Sequence, residues 1–203
     1  KIKNVDLKSI NQNLIDIVWS NKPKEFVKPF FSLSAKNAGT TAEKKIIQVK
    51  NVISKNNVDY LLVTAPENVA WILNIRGYDS SYSPIPNARL LVSKKGNIDL
   101  FANPKKITKI NKILEKKVCL HDEGRVENIL KHMSKKRVWL DTLSCSFYYK
   151  SILDKRNSVI EKIDPIHFFK SIKNNTEIKN MRKSHLTDGV ALTKFLFWLK
   201  KNF

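Results

Sequence analysis

The sequence predicts an α/β protein built on a mixed, partly parallel sheet of about six strands with helices on both faces. Between residues 40 and 164, short apolar runs typical of buried strands alternate with segments whose apolar residues recur at helical spacing. Two of the runs are joined by Lys94 to Asn97, a link typical of a β-hairpin, so the sheet should be mixed. A long helical pattern then fills residues 174–203.

The charge of the chain suggests a nucleic-acid partner, but the residue usage argues against one. The 203 residues contain 38 lysines and arginines against 18 aspartates and glutamates, which gives a net charge of +20. Only six of the 38 are arginines, and the lysines are scattered over nearly every predicted element. Nucleic-acid sites favour arginine and interleaved aromatic residues. We therefore expect no such partner, and a basic nucleic-acid-binding module is kept only as the alternative.

The composition also bears on the compartment. No apolar run reaches the roughly 18 residues of a membrane span, so none is predicted. Cys119 and Cys145 are far apart and lack the spacing of a zinc site, so they are expected to be reduced thiols in a cytoplasmic protein. No leader peptide is visible, and because the first residue is Lys1 rather than Met we expect a fragment or a processed form of a longer protein.

Residues 1–39 are predicted to form a linker arm. A short helix is expected between Asn13 and Trp19, and the prolines at positions 23 and 29 favour an extended path over a surface. Large aromatic side chains need a partner to cover them. The arm is therefore expected to dock on a neighbouring domain through Trp19, Phe26, Phe30 and Phe31.

Residues 40–164 are predicted to form the sheet domain. Thr40 or Thr41 is the expected N-cap of its first helix, and Ser144 is a candidate cap for its last one. The continuous apolar run at Asp59–Thr64 is typical of a strand covered on both faces. Helices are expected over 41–56, 66–75, 104–115, 124–134 and 144–154, and strands over 59–64, 89–93, 98–101, 116–120, 137–141 and 159–163.

The stretch from Pro66 to Asp79 is the centre of that domain. Pro66 suits a first helical position, and Gly77 is the expected left-handed end of the helix. The apolar face of the helix predicts burial on the sheet, whereas Arg76 and Asp79 are expected to be exposed at its end. A loop over residues 78–86 should follow.

The last forty residues are predicted to leave the sheet. Residues 165–173 are expected to be a connector, and Asn174 with Glu177 resembles the capping box that starts a helix. The helix is still apolar at its last residue, so we expect it to belong to a truncated domain. His185 lies on its apolar line and is expected to be a core or interface histidine, because a metal site needs several converging ligands.

The sequence contains no complete catalytic constellation. Its four histidines lie on different elements, and the motifs of serine hydrolases, dinucleotide-binding folds and P-loops are absent. The pair Asp122–Glu123 and the residue Asp141 follow predicted strands, but no third ligand is near, so helix capping is expected. No catalytic residue and no metal ligand is therefore assigned.

Four ordered segments of the chain resemble Xaa-Pro aminopeptidases of the three-domain type. The most distinctive is Glu67 to Asp79, which is similar to the family's (E/D)-(I/N)-x-A-W-L-(F/L)-N-(L/I)-R-G-x-D segment. The family more often has Arg where this chain has Lys22, and Ala where it has Ser171, and neither departure touches the chemistry. The other similar segments are Asn13 to Pro23, Pro165 to Ile178 and Met181 to Leu192.

The resemblance implies a domain organisation and an activity for the parent protein. Residues 1–39 would leave a missing first domain, 40–164 would be a middle domain of the creatinase/prolidase N-terminal type, and 165–203 would begin a pita-bread metallopeptidase domain. Family members use two divalent metals, usually manganese, to activate a bridging water against an Xaa-Pro bond. The family's metal ligands lie beyond residue 203, so this chain alone is expected to bind no catalytic metal and to be inactive.

For the middle domain, the resemblance implies a place beside the catalytic cleft. Arg76 and Asp79 are candidates for its lip, where they would position the substrate or the domain interface; the alternative is an Arg–Asp pair that only ties the turn. The implied partners are peptides with proline at the second position and the missing domains, with a homodimer left open. A free-standing adaptor of the same fold is a further alternative, and the gene sequence beyond codon 203 would distinguish it from a peptidase.

Overall fold

The structure is a computed structural model that describes residues 10, 12–23, 27–110, 114 and 118–203. The strands in this part of the chain are β1 (Phe31–Ser32), β2 (Tyr60–Val63), β3 (Ile75–Arg76), β4 (Arg89–Ser93), β5 (Ile98–Phe101), β6 (Val118–His121), β7 (Arg137–Leu140) and β8 (Ser158–Glu161). The helices are α1 (Leu14–Val18), α2 (Ala35–Ala38), α3 (Ala42–Lys55), α4 (Pro66–Ile72), α5 (Pro104–Ile107), α6 (Arg125–His132), α7 (Phe147–Asp154), α8 (Pro165–Ser171) and α9 (Asn175–Asn202).

Six of the described strands form one sheet in the order β6-β5-β4-β2-β7-β8. Strand β2 lies near the centre, antiparallel to β4 and parallel to β7. Strands β4 and β5 form the predicted hairpin, whereas β6 runs parallel to β5 and β8 runs parallel to β7. The sheet is therefore mixed and partly parallel, as the sequence predicts, and β2 joins its two halves.

Both faces of the sheet are covered by helices. Successive side chains of a strand point to opposite faces. Leu61 accordingly joins the core beneath α3, α4 and α8, while Leu62 joins the core beneath α6 and α7. In β7, Trp139 lies in the first core and Val138 and Leu140 lie in the second. The prediction of strands buried on both faces is thus confirmed.

The helix predicted over 66–75 is shorter than expected. Helix α4 ends at Ile72, and Asn74 adopts a φ of 52°, a left-handed conformation that asparagine tolerates. The prediction that Gly77 ends the helix is wrong, because the two residues before it form β3 and pair antiparallel with β1. Glycine is required there by a close approach of two chain segments, since a Cβ would lie 2.7 Å from the Cα of Pro86.

The arm docks on the sheet domain through its second half. Phe30 is fully buried, and its N–H donates to the Lys106 carbonyl at 2.7 Å. Phe31 is half-buried and its ring contacts the loop after β3. Trp19, in contrast, keeps 48% of its surface exposed, and Phe26 lies outside the described residues. Docking is therefore confirmed for the second half of the arm, where β1 and α2 replace the uniformly extended path that the prolines predicted.

Two predicted elements extend into residues that the structure does not describe. The helix expected over 104–115 is present as α5, while residues 111–113 and 115 lie outside the described part. The strand expected over 116–120 is present as β6, and residues 116 and 117 lie outside. The other strands of the sheet and helices α3 and α6 fall within a few residues of their predicted ranges.

Two helix starts differ from the predictions. Residues 165–173, expected to be a connector, contain α8, whose N-cap Asp164 accepts a hydrogen bond from the Ile166 N–H at 2.8 Å. A proline follows the cap, where its missing N–H leaves no donor unsatisfied. Helix α7 is capped by Ser146 rather than Ser144, because the Ser146 side chain accepts from the first turn.

The predicted capping box at the start of α9 is confirmed. The Asn174 side chain accepts from the Glu177 N–H, and the Glu177 carboxylate accepts from the Asn174 N–H. The helix continues for 28 residues and buries none of its side chains, so His185 is exposed rather than in a core. No helix in the described ranges is both long enough and apolar enough to span a bilayer. Apolar side chains remain exposed along α9 at Leu186, Leu192, Phe195, Trp198 and Leu199.

Gly77→Ala should destabilise the fold, because the new Cβ would collide with the backbone at Pro86. Overpacking of this kind costs about 1–3 kcal/mol. Gly189→Ala is the matched control, since its Cβ meets no atom within 4 Å and alanine should stabilise the helix by about 1 kcal/mol. Urea unfolding followed by circular dichroism measures both variants. An unfolding midpoint for Gly77→Ala equal to that of the wild type would contradict the close approach.

Candidate functional site

The end of α4 and the strand β3 determine where Arg76 lies. Its Nη1 donates to the Ala70 carbonyl at 2.9 Å and to the Ile75 carbonyl at 2.8 Å, which folds the side chain back over the end of the helix. Arg76 is half-buried rather than exposed as predicted. Burial lowers the pKa of its guanidinium, and the nearby Glu177 carboxylate partly offsets this effect.

Asp79 takes a different partner from Arg76. Its Oδ1 lies 2.8 Å from the Nζ of Lys106, and only 11% and 3% of the two side chains are exposed. The other carboxylate oxygen accepts from the Asn87 N–H at 2.6 Å, so Asp79 fastens both ends of the loop that follows β3. The expectation of an exposed aspartate is therefore wrong, and the turn is tied by a buried lysine instead of by Arg76.

A surface depression of about 380 Å³ lies beside this ion pair. Asp79, Asn87 and Lys106 supply its polar lining, and Tyr78 and Pro66 supply part of its apolar lining. The depression therefore lies directly beside one of the two residues that the sequence predicts to be at the lip of a cleft.

Lys45 is a buried cation that the sequence analysis did not single out. Its Nζ donates to the Asn74 Oδ1 at 2.7 Å and to the Trp71 carbonyl at 2.9 Å, and it lies 4.2 Å from the centre of the Trp71 ring. Burial lowers the pKa of Lys45 to about 8, with Glu177 acting to raise it and Arg76 to lower it. Its spacing of i, i+4 with the buried Val49 could have revealed a lysine on the core face of α3.

The start of α9 meets the sheet domain at these cations. The Asn174 side-chain amide donates to the Ala38 carbonyl at 2.9 Å, and that of Asn180 donates to the Asn37 carbonyl at 3.2 Å. Gly39, with a φ of 76°, leaves room for Asn174 where any Cβ would collide with its side chain. The residues that meet here are Lys45, Asn74, Arg76, Asn174 and Glu177.

A second buried polar network joins α4 and α8 to the end of β7. Asp141 accepts from the Asp164 N–H at 2.9 Å and from the Leu143 N–H in a turn, so the prediction that it caps a helix is wrong, because the N-cap of α7 is Ser146. Asp164 accepts from the Asn68 side-chain amide at 2.9 Å, and Lys170 donates to the Asn68 Oδ1 at 2.8 Å. Burial raises the pKa of Asp164, and its hydrogen bonds act to lower it. Each of these polar groups is hydrogen-bonded to the next, so the network ties α4 and α8 to the end of β7.

The chain's remaining candidate ligands do not converge on one point. Asp122 accepts from the Gly124 N–H at 2.9 Å just before α6, but the N-cap of that helix is Gly124, which has no side-chain cap. His121 lies 2.7 Å from Asp99 and stacks on the Phe101 ring. In the described part of the chain, no three His, Cys, Asp or Glu side chains lie close enough together to hold a metal ion.

The mixed sheet covered on both faces, followed by a long helix, defines an α/β domain that is joined to a further helical segment. Residues 21–177 match the creatinase/prolidase N-terminal domain family. The chain belongs to that family.

The relatives of the chain are Xaa-Pro aminopeptidases. Xaa-Pro aminopeptidase 1 of Dictyostelium discoideum is 30% identical over 212 residues, which cover 99% of this chain and 33% of that protein. Human Xaa-Pro aminopeptidase 2 is 28% identical over 211 residues, which cover 98% of this chain and 31% of that protein. This chain therefore spans about a third of the length of the curated relatives it matches.

A solved structure agrees over the same extent. The crystal structure of an X-prolyl aminopeptidase from Caenorhabditis elegans, described as a cytosolic enzyme with a di-nuclear active site, superposes with a TM-score of 0.83. Its sequence identity is 27%, and the match covers 96% of this chain and 33% of that one. An Xaa-Pro dipeptidase from Bacillus anthracis, 14% identical with a TM-score of 0.60, shares the fold.

The stability of the protein should depend on the titration of Lys45. Because its pKa is about 8 in the folded state against an ordinary 10.5, the folded state releases this proton first as the pH rises. The free energy of unfolding of the wild type should therefore increase relative to that of Lys45→Met between pH 8 and pH 10.5, and stay level below pH 8.

Urea unfolding of both proteins across this pH range measures the difference. The quantity to follow is the free energy of unfolding of the wild type minus that of Lys45→Met. A value that stays constant up to pH 10.5, or that falls as the pH rises, would contradict the burial of a charged lysine at this position.

Proposed function

We propose that this chain is the non-catalytic portion of an Xaa-Pro aminopeptidase, a peptidase with two metal ions that removes the N-terminal residue before a proline. The observation that carries the proposal is the extent of the likeness. Nearly the whole chain aligns with such enzymes in sequence, and with one of them in structure. The capping box at Asn174 and Glu177 and the 28-residue helix after it favour this proposal over a free-standing adaptor, whose fold would not need them.

The hydrogen bonds of the buried charged side chains favour a structural rather than a catalytic role for this chain. The buried charged groups Lys45, Lys106, Asp141 and Asp164 bond to other parts of the fold. Two metal ions a few Å apart need bridging carboxylates, and the described residues offer no such group. We infer that the two divalent ions, with manganese as the expected metal, are held by residues beyond position 203 in the parent protein.

The proposed domain organisation gives each segment a task. Residues 1–39 link to a first domain, 40–164 form the middle domain, and 165–203 lead into the catalytic domain. The exposed apolar side chains of α9 support this assignment, because a long apolar helix face is stable only when something covers it. The parent is proposed to act on peptides in the cytoplasm, and its oligomeric state is left open.

Arg76 and Asp79 are proposed to border the substrate cleft. Within the described residues, Nη2 and Nε of Arg76 form no hydrogen bond, although the side chain is half-buried. These N–H groups are therefore available to donate a hydrogen bond to a peptide carbonyl or to an acceptor on the facing domain. Asp79 contributes by fixing the loop that lines the 380 Å³ depression.

The 203-residue chain alone should show no turnover of a Gly-Pro or Arg-Pro peptide in the presence of manganese. The full-length protein should hydrolyse the same peptides, lose activity on chelation and regain it with manganese, because the metal supplies the nucleophilic water. Release of the N-terminal amino acid is the readout. Turnover by the isolated chain would overturn the division of roles, and an inactive full-length protein would argue for the adaptor.

Arg76→Ala in the full-length protein should lower kcat/KM for an Xaa-Pro peptide by about tenfold, the effect of losing one charged hydrogen bond of roughly 1.4 kcal/mol. Arg125→Ala, at an exposed position on α6, is the matched control and should leave both constants unchanged. Steady-state kinetics with unfolding midpoints separates the effect on activity from one on stability. If kcat and KM of Arg76→Ala equal those of the wild type, the proposed lip role is wrong.

A further inference from the structure

One end of the sheet gathers cations that the sequence shows only as scattered lysines. Strand β2 begins where β4 ends, since Tyr60 lies opposite Ser93. Strand β5 also begins at this end, because β4 and β5 are antiparallel neighbours. Strands β7 and β8 begin there as well, since both run parallel to β2. The turns and helix ends that adjoin these five strand ends therefore lie side by side.

These turns and helix ends carry eight positive charges. Seven of the side chains are exposed and Lys94 is half-buried. In the part of the chain that the structure describes, none of the eight forms an ion pair. We call this set the basic row: Lys55, Lys94, Lys95, Lys135, Lys136, Arg137, Lys155 and Arg156.

The opposite end of the sheet carries charges of both signs, since Arg125 and Lys162 follow β6 and β8 there. The residues that follow β6, β7 and β8 include four carboxylates, Asp122, Glu123, Asp141 and Asp164. At the end of the sheet that carries the basic row, the Asp59 carboxylate accepts from the Arg137 N–H at 2.9 Å.

The turns of the basic row follow one another along one end of the sheet, and backbone hydrogen bonds hold them in place. The Lys94 N–H donates to the Asp59 carbonyl at 2.8 Å, and the Lys135 N–H donates to the Arg156 carbonyl at 2.8 Å. Neighbouring strands lie roughly 4.8 Å apart, so five of them space the charges over about 19 Å. Lys94, Lys95 and Lys136 also line a shared depression of about 280 Å³.

We propose that the basic row binds the phosphate backbone of a double-stranded nucleic acid without reading its sequence. A row of point charges matches a linear polyanion, and six of the eight cations are lysines, which act on phosphate as point charges. Single strands are held by stacking on exposed aromatic rings, but Tyr60, the aromatic residue lining the depression, is half-buried against the second core.

This inference does not depend on the proposed peptidase activity. It differs from the expectation from sequence, which was based on the small number of arginines and the dispersion of the lysines. Phosphate contacts without base readout need neither bidentate arginine nor aromatic residues. An anionic membrane surface is the competing partner, because it also attracts exposed lysines, and the experiment below distinguishes it from a duplex.

The test uses the full-length protein and a fluorescein-labelled DNA duplex of about 20 base pairs, with binding followed by anisotropy between about 50 and 200 mM salt. Each phosphate neutralised contributes about 0.9 to the slope of log K against log salt. The variant Lys95→Gln/Lys135→Gln/Lys136→Gln should therefore reduce the slope by about 2 to 3 and weaken binding at least tenfold.

The matched control removes three lysines elsewhere, as Lys36→Gln/Lys44→Gln/Lys105→Gln, all at exposed positions away from the basic row. It should keep the wild-type slope to within about 0.5. Equal losses in both variants would show only the effect of net charge and would overturn the proposal. So would the absence of duplex binding at low salt, or binding to vesicles with about 30% phosphatidylserine but not to the duplex.

Discussion

The burial of one ammonium group constrains the whole region around the candidate site. A lysine removed from water must bring partners with it, because an unpaired buried charge is very costly. Lys45 is accommodated by the Asn74 side chain, a helix-end carbonyl and the face of the Trp71 ring. These contacts require α4 to stop early and Asn74 to adopt its left-handed conformation. The direction of β3, and with it the position of Arg76, follows from that.

Sequence patterns were sufficient where the determining physics is local. The strands of the sheet are short apolar runs, and a run buried on both faces, such as Leu61 with Leu62, needs only its own composition to be recognised. The capping box at Asn174 and Glu177 depends on residues three apart and was equally visible. The family was recognised from a different source, the order of four segments that resemble it, and the comparisons confirmed the family.

The patterns failed where distant segments meet. Strand β3 exists because two residues pair with β1, more than forty positions earlier, and nothing in either dipeptide marks that contact. The burial of Arg76 and Asp79 could not be foreseen, since Lys106 and Glu177 reach them from other elements. The same limit applied to the lysines, which are dispersed in sequence and gathered only by strand direction.

The contact between Gly39 and Asn174 at the base of α9 determines where the far end of that helix lies. Helix α9 has 28 residues, so at about 1.5 Å per residue it is a rod of about 42 Å. A tilt of about 5° at its base would move its far end by about 4 Å, more than the length of a hydrogen bond. The direction of α9 relative to the sheet domain therefore depends on two amide-to-carbonyl hydrogen bonds and on the missing Cβ of Gly39. Any segment that packs on the far end of α9 is positioned by the same contacts.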